Sequence, residues 1–365
     1  MTFFVIVTAL MTLYAVFITA VWWLQKQNAD EQQKNNEALT LSLNNDYMNS
    51  LGVTSAQEAS ATRAMLAKAD EAKQLHQTFQ KFVPRQFVEH FAKGGIDSLT
   101  LGYADEDDVA IMFCDIRGFT RLSEEMSPQQ LMNFLNAYFM RMNAPIHDNF
   151  GFIDKFIGDA IMALFDHPNG QISDKAADSV RAALDLQKAL KLYNHHRAKS
   201  GYGGVKNGIG LHVGPVVVGT VGSDDRMDTT VIGHTVNVAQ RIESLTNYFG
   251  VEILASKELV CAAGEEMEFA SRTLDKVVLK GKSTSIEIIE IYEHLSEERI
   301  NARNASKNLM SEAISMRNTG DFKGALNLFL RAQENDPGDT TLVHHITTCE
   351  KLEHEEDWDG KIRIS

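Results

Sequence analysis

The sequence predicts an α+β domain in which helices cover a sheet, and three observations carry that prediction. Short apolar runs of strand length alternate with longer stretches of helical periodicity from Val109 to Tyr292. Two of the short runs, 151–156 and 160–165, are joined by Ile157-Gly158-Asp159, the spacing of a β-hairpin. A helix-start signal, Pro128, opens the first long periodic stretch.

The elements follow in order. Residues 109–114 form a strand that ends at Asp115, and 128–149 form a helix. After the hairpin come an amphipathic helix at 173–198, a strand at 206–213 and an apolar, glycine-flanked run at 216–221. A helix at 235–246 and strands at 252–255, 276–279 and 286–292 complete the pattern. Upstream, 55–79 carries an approximate helical face of Ala59, Leu66, Ala69, Ala72, Leu75 and Phe79, opened by Ser55 and Glu58 at capping-box spacing. That face fits either a coiled coil between two chains or a helix lying on its own domain. Pro84 breaks the run, and 86–92 can form a short helix after it.

The organisation read from these changes is a membrane anchor at 1–24, a polar and helical linker at 25–81 and a main domain at 82–293. A helical tail at 301–352 and an acidic terminus at 353–365 follow. Residues 2–24 are uncharged and almost wholly apolar, long enough to cross a bilayer as one helix, with Trp22 and Trp23 at the exit. A cleaved signal peptide would need a positive leader and a small-residue cleavage site, and neither is present. The expectation is a single-pass protein of the inner or plasma membrane with the remainder in the cytoplasm.

The formal net charge is −14 and no long basic run occurs, which argues against a nucleic-acid partner. Cys114, Cys261 and Cys349 form no CxxC pair, so neither a disulfide framework nor a structural zinc site is indicated.

Three segments carry chemistry. Asp115 follows an apolar strand in Phe113-Cys114-Asp115-Ile116-Arg117-Gly118-Phe119-Thr120, and Asp159 sits at the hairpin tip in Asp154-Lys155-Phe156-Ile157-Gly158-Asp159. If the hairpin pairs beside the first strand, the two carboxylates converge where hard divalent cations could sit on a triphosphate. In the third segment, Thr230 to Arg241, Asn237 and Arg241 lie four apart on one helical face, an arrangement suited to ribose or phosphate.

Together these segments resemble the class III adenylate and guanylate cyclases, over about Phe82 to Glu293. The resemblance implies a ferredoxin-like α+β domain working as a homodimer with composite sites. It implies two Mg²⁺ or Mn²⁺ ions per site, held by Asp115, Asp159 and the backbone carbonyl of Ile116. Lys155 and Thr230 would read the purine, Asn237 would orient the ribose, and Arg241 would meet phosphate charge. Lys280 would bind phosphate, with Lys282 as the other register. A lysine matches the acceptor ring nitrogen of adenine and not the protonated one of guanine, so the substrate expected is ATP and the product cyclic AMP. His234 stands where bacterial members often carry aspartate. The tail resembles one tetratricopeptide unit plus a further helix, which must dock on the domain or on a protein partner to be stable. Such a partner could also engage the membrane helix.

Overall fold

The computed structural model describes residues 40, 42, 56–79, 102, 104–166, 170–223, 225–264, 267–279, 285–352 and 362–364. The chain divides into two units, Met1–Phe82 and Val83–Ser365. In the first, helix α1 spans Ala56–Phe79, with Met65 and Leu75 exposed. Ser55, the short helix expected at 86–92 and the anchor expected at 1–24 lie outside the described residues. Among the described residues no helix is long and apolar enough to cross a membrane. The reading of a domain preceded by a transmembrane helix, and with it the single-pass membrane placement, is corrected on that finding.

The second unit is the α+β domain. Its strands are β1 (Ala104–Ile116), β2 (Phe152–Ile157), β3 (Ala160–Phe165), β4 (Asn207–Ser223), β5 (Arg226–Ile232), β6 (Ile253–Ser256), β7 (Ser271–Leu279), β8 (Ser285–Ile291) and β9 (Ile362–Ile364). They form one sheet in the order β2-β3-β1-β4-β6-β8-β7-β9, with β5 paired to β4. The helices are α2 (Phe119–Glu124), α3 (Pro128–Asp148), α4 (Ile172–Lys199), α5 (His234–Phe249), α6 (Lys257–Ala263), α7 (Glu297–Asn318), α8 (Phe322–Asn335) and α9 (Thr340–Leu352).

β1 is the axis of the sheet, and its alternation builds both faces. Ala110, Met112, Cys114 and Ile116 pack against α3 and α4 through Phe134, Tyr138, Met142, Val180 and Leu186. Val109, Ile111 and Phe113 face the other way, onto Met162, Leu164, Val216, Val218, Val231 and Ala239. α3 begins at Ser127, whose side chain accepts from the Gln130 N–H while the Gln130 side chain accepts from the Ser127 N–H.

β4 is a single strand where the sequence suggested two segments. Its far edge pairs with β6 at 209–211 and with β5 at 217–223. Pro215 falls between those stretches, where that edge needs no donor.

α5 lies unusually close to β4. A Cβ added to Gly210 would overlap the backbone nitrogen and Cα of Glu243. Gly210→Ala must therefore push the helix off the sheet. The expected cost is about 1–3 kcal/mol or more, read as a lower thermal midpoint together with loss of activity.

The tail helices share one core with α5, β7 and β8: Leu274, Val277, Ile288, Met310, Ala313, Phe329 and Leu342 belong to it. Charged groups are buried in the same contact. Arg317 donates through both terminal nitrogens to Asp275, and both side chains are fully buried. Arg272 bridges Glu290 at 2.6 Å and Asp339 at 2.5 Å, and Arg303 pairs with Asp336 and with Asp339. The tetratricopeptide reading of the tail is corrected: no likeness to such a repeat supports it, and the three helices, each packed on the next, complete the core of the sheet.

Candidate active site

Asp115 is the last but one residue of β1, opposite Gly208 of β4. Beneath it is a buried polar chain in which Gln187 donates to Asn207 at 2.8 Å and Asn207 donates to Tyr138 at 3.0 Å and to the Cys114 sulfur at 3.2 Å. Burial pushes the Cys114 thiol up to about 12, so this cysteine is structural. The three thiols are free.

Asp159 follows Gly158, whose φ of 64° makes the tight β2–β3 turn that glycine tolerates. Because β3 pairs with β1, the turn returns Asp159 to the end of β1. Burial, a hydrogen bond with Asp115 and the Asp115 charge together push the Asp159 carboxyl up to about 7. A third carboxylate joins them. Glu243 of α5 lines a cleft with Asp115, and burial with the Asp115 charge pushes it up to about 7. The cleft holds about 240 Å³ and is bounded by Asp115, Ile116, Arg117, Glu243, Thr246 and Asn247. Arg117 donates to Asn247 at 3.2 Å and to the Val251 carbonyl, bracing the end of β1 against the end of α5.

These groups suit a hard divalent cation. The donors are carboxylate oxygens crowded close enough to repel, and Asp159 Oδ2 is buried without a hydrogen-bond partner. Among the described residues no group of three or more His, Cys, Asp or Glu is placed to hold a metal ion, so an ion held by Asp115 and Asp159 would draw its other ligands from backbone, substrate or water.

A second cluster forms around the hairpin. Lys155 on β2 donates to Thr230 Oγ1 on β5 at 2.8 Å, across 75 residues of sequence. Asn237, Arg241 and Ser244 share one face of α5; Asn237 is exposed and Arg241 half-buried. Neither Asn237 nor Arg241 lines the carboxylate cleft. His234 is exposed at the start of α5, and His212 bonds Ser256 at 2.7 Å within the core edge. Lys280 and Lys282 lie outside the described residues.

Two contributors went unread in the sequence. Glu243 lies on a helix in a stretch whose only signal is its place two residues beyond Arg241. Asp154, beside Lys155 on a strand, carries no sequence signal of burial, yet its side chain is 1% exposed.

Residues 102–292 match the family described as the adenylate and guanylate cyclase catalytic domain. An adenylate cyclase of Anabaena cylindrica is 42% identical over 243 residues, covering 65% of this chain and 47% of that protein. The terminal-differentiation specific adenylate cyclase of Dictyostelium discoideum is 33% identical over 279 residues, covering 75% of this chain and 13% of that one. The chain thus spans about half or less of the length of these relatives. A bacterial light-regulated adenylyl cyclase structure superimposes with a TM-score of 0.55 at 25% identity, covering 68% of each chain. These likenesses support a cyclase domain. They do not support membrane embedding or an obligatory homodimer, and both expectations are corrected.

Proposed function

This chain belongs to the adenylate and guanylate cyclase catalytic domain family, and on that premise we propose that it converts ATP to 3′,5′-cyclic AMP and pyrophosphate. The observation that carries the reading is the pair of clusters just described. Two aspartates distant in sequence come together at the end of β1 beside a cleft, near enough for Asp115 to raise the Asp159 pKa, and Lys155 meets Thr230 at 2.8 Å.

In the reaction the ribose 3′-oxygen bonds to the α-phosphorus, the bond to the bridging oxygen breaks, and pyrophosphate leaves with its electron pair. Asp115, Asp159 and the Ile116 carbonyl would hold two Mg²⁺ or Mn²⁺ ions. Such ions, when bound, lower the pKa of the 3′-hydroxyl and neutralise the triphosphate. The chain's own groups supply binding and orientation. Lys155 donates to the acceptor ring nitrogen of adenine, and Thr230 retains a lone pair for the adenine amino group. Arg241 meets charge developing on the transferring phosphoryl group, and Asn237, on the same helical face, orients the ribose. Asp115 or a water takes the 3′-proton. Lys280 is proposed to bind phosphate from the β7–β8 loop.

The full chain, purified and supplied with ATP or GTP and Mg²⁺ or Mn²⁺, is expected to form cyclic AMP from ATP, to prefer ATP to GTP, and to fall silent with a chelator. A preference for GTP would overturn the reading of Lys155 and Thr230. Silence with both nucleotides would overturn the activity itself.

A further inference from the structure

We propose that Asp154 is a positioning residue for purine recognition: its buried carboxylate fixes the direction of the Lys155 ammonium, and so sharpens the choice of adenine over guanine. The inference rests on Lys155 reading the base, as proposed above.

The backbone provides the first argument. β2 pairs Ile153 with Ala163 and Lys155 with Met162, so Asp154 is the extra residue of a β-bulge. Neighbours on a regular strand point to opposite faces, whereas a bulge re-aims one side chain. Here it brings Asp154 Oδ2 to 3.5 Å from Lys155 Nζ.

Saturation of the ammonium is the second. It has three N–H groups. One is spent on Thr230 at 2.8 Å, and a second direction faces Asp154. The third is left for a single acceptor, which adenine offers and the protonated ring nitrogen of guanine does not.

The cost of Asp154 is the third. Both its oxygens are buried without a hydrogen-bond partner. Burial pushes its carboxyl up to about 6; Lys155 opposes that shift in part, and Asp228 on β5 adds to it. A buried carboxylate so poorly compensated weakens the fold. Its place beside the base-reading pair marks a charge kept for function.

The test compares Asp154→Asn with the unsubstituted full chain and with Lys155→Ala and the double variant. Asp154→Asn is expected to raise KM for ATP by about five- to tenfold with kcat within about twofold. The ATP-to-GTP ratio of kcat/KM should narrow by about tenfold. Its thermal midpoint should hold or rise, because a buried charge that Lys155 compensates only in part is gone. In the Lys155→Ala background the same substitution should change little further, since it acts through that lysine. A KM and a nucleotide ratio within about twofold of the unsubstituted protein would overturn the proposal. So would a fall in kcat that tracks a fall in thermal midpoint, the mark of a merely structural residue. If the unsubstituted chain forms cyclic AMP but Lys155→Ala leaves nucleotide preference unmoved, the fault lies in the reading of Lys155, and this inference falls with it.

Discussion

Asp115→Asn is expected to lose about a hundredfold or more of cyclase activity while leaving the fold at least as stable as before. The two outcomes are coupled by one arrangement. Asp115 and Glu243 line one cleft with Asp159 close by, and burial and mutual repulsion push both Asp159 and Glu243 up to about 7. Neutralising Asp115 removes a repelling charge, and asparagine can still donate to Asp159. Without divalent ions the variant should therefore melt no lower than the unsubstituted protein. Added Mg²⁺ should raise the midpoint of the unsubstituted protein, as any ligand of the native state does, and barely move that of the variant. Activity that survives the substitution, or a variant that unfolds, would refute the assignment of Asp115 as a site residue.

Arg317→Met should destabilise the protein by about 3–5 kcal/mol, because it strips a buried carboxylate of its cation. Asp275 and Arg317 are both fully buried, and burial raises the Asp275 pKa even with the guanidinium in contact. His345, whose Nδ1 lies 4.0 Å from Asp275, is a poor substitute cation because burial opposes its protonation. It stacks on Phe329 at 4.9 Å, and burial beside Arg317 holds it well below its ordinary pKa. The check is a thermal or denaturant melt of the single variant beside Arg317→Met with Asp275→Asn. The double variant should recover much of the loss, since removing both charges avoids the stranded one. Equal stability of the single variant and the unsubstituted protein would show that the pair contributes nothing.

What was legible in the sequence follows from how each residue earns its burial. The end of β1 and the β2–β3 hairpin could be read because apolar runs stop at glycine turns, and both catalytic candidates sit at those stops. The first residues of β1, Ala104 to Asp108, could not: four acidic side chains oppose strand propensity, and only pairing with Pro215 to Gly219 holds them extended. β7 was read from Lys276 onward, because Arg272 and Asp275 resemble surface charges until the tail covers them. β5 was missed because Arg226 to Thr229 show no apolar alternation; their order comes from the β4 ladder. Lys155 and Thr230 were singled out from the resemblance alone, since no local pattern links positions 75 apart. The anchor and Lys280 fall outside the described residues.

The buried arginines have a consequence for transplantation. The family match ends at Tyr292, yet Asp275, before that point, finds its counter-charge in Arg317 on α7, and the Arg272–Glu290 pair is completed by Asp339 and Arg303, all after it. A graft that ended at the family boundary would strip Asp275 of its cation and leave the Arg272–Glu290 pair uncovered on an apolar sheet face. Anyone fusing this catalytic unit to a foreign sensor should carry the chain through Leu352, because heredity and cooperative folding draw their borders in different places here.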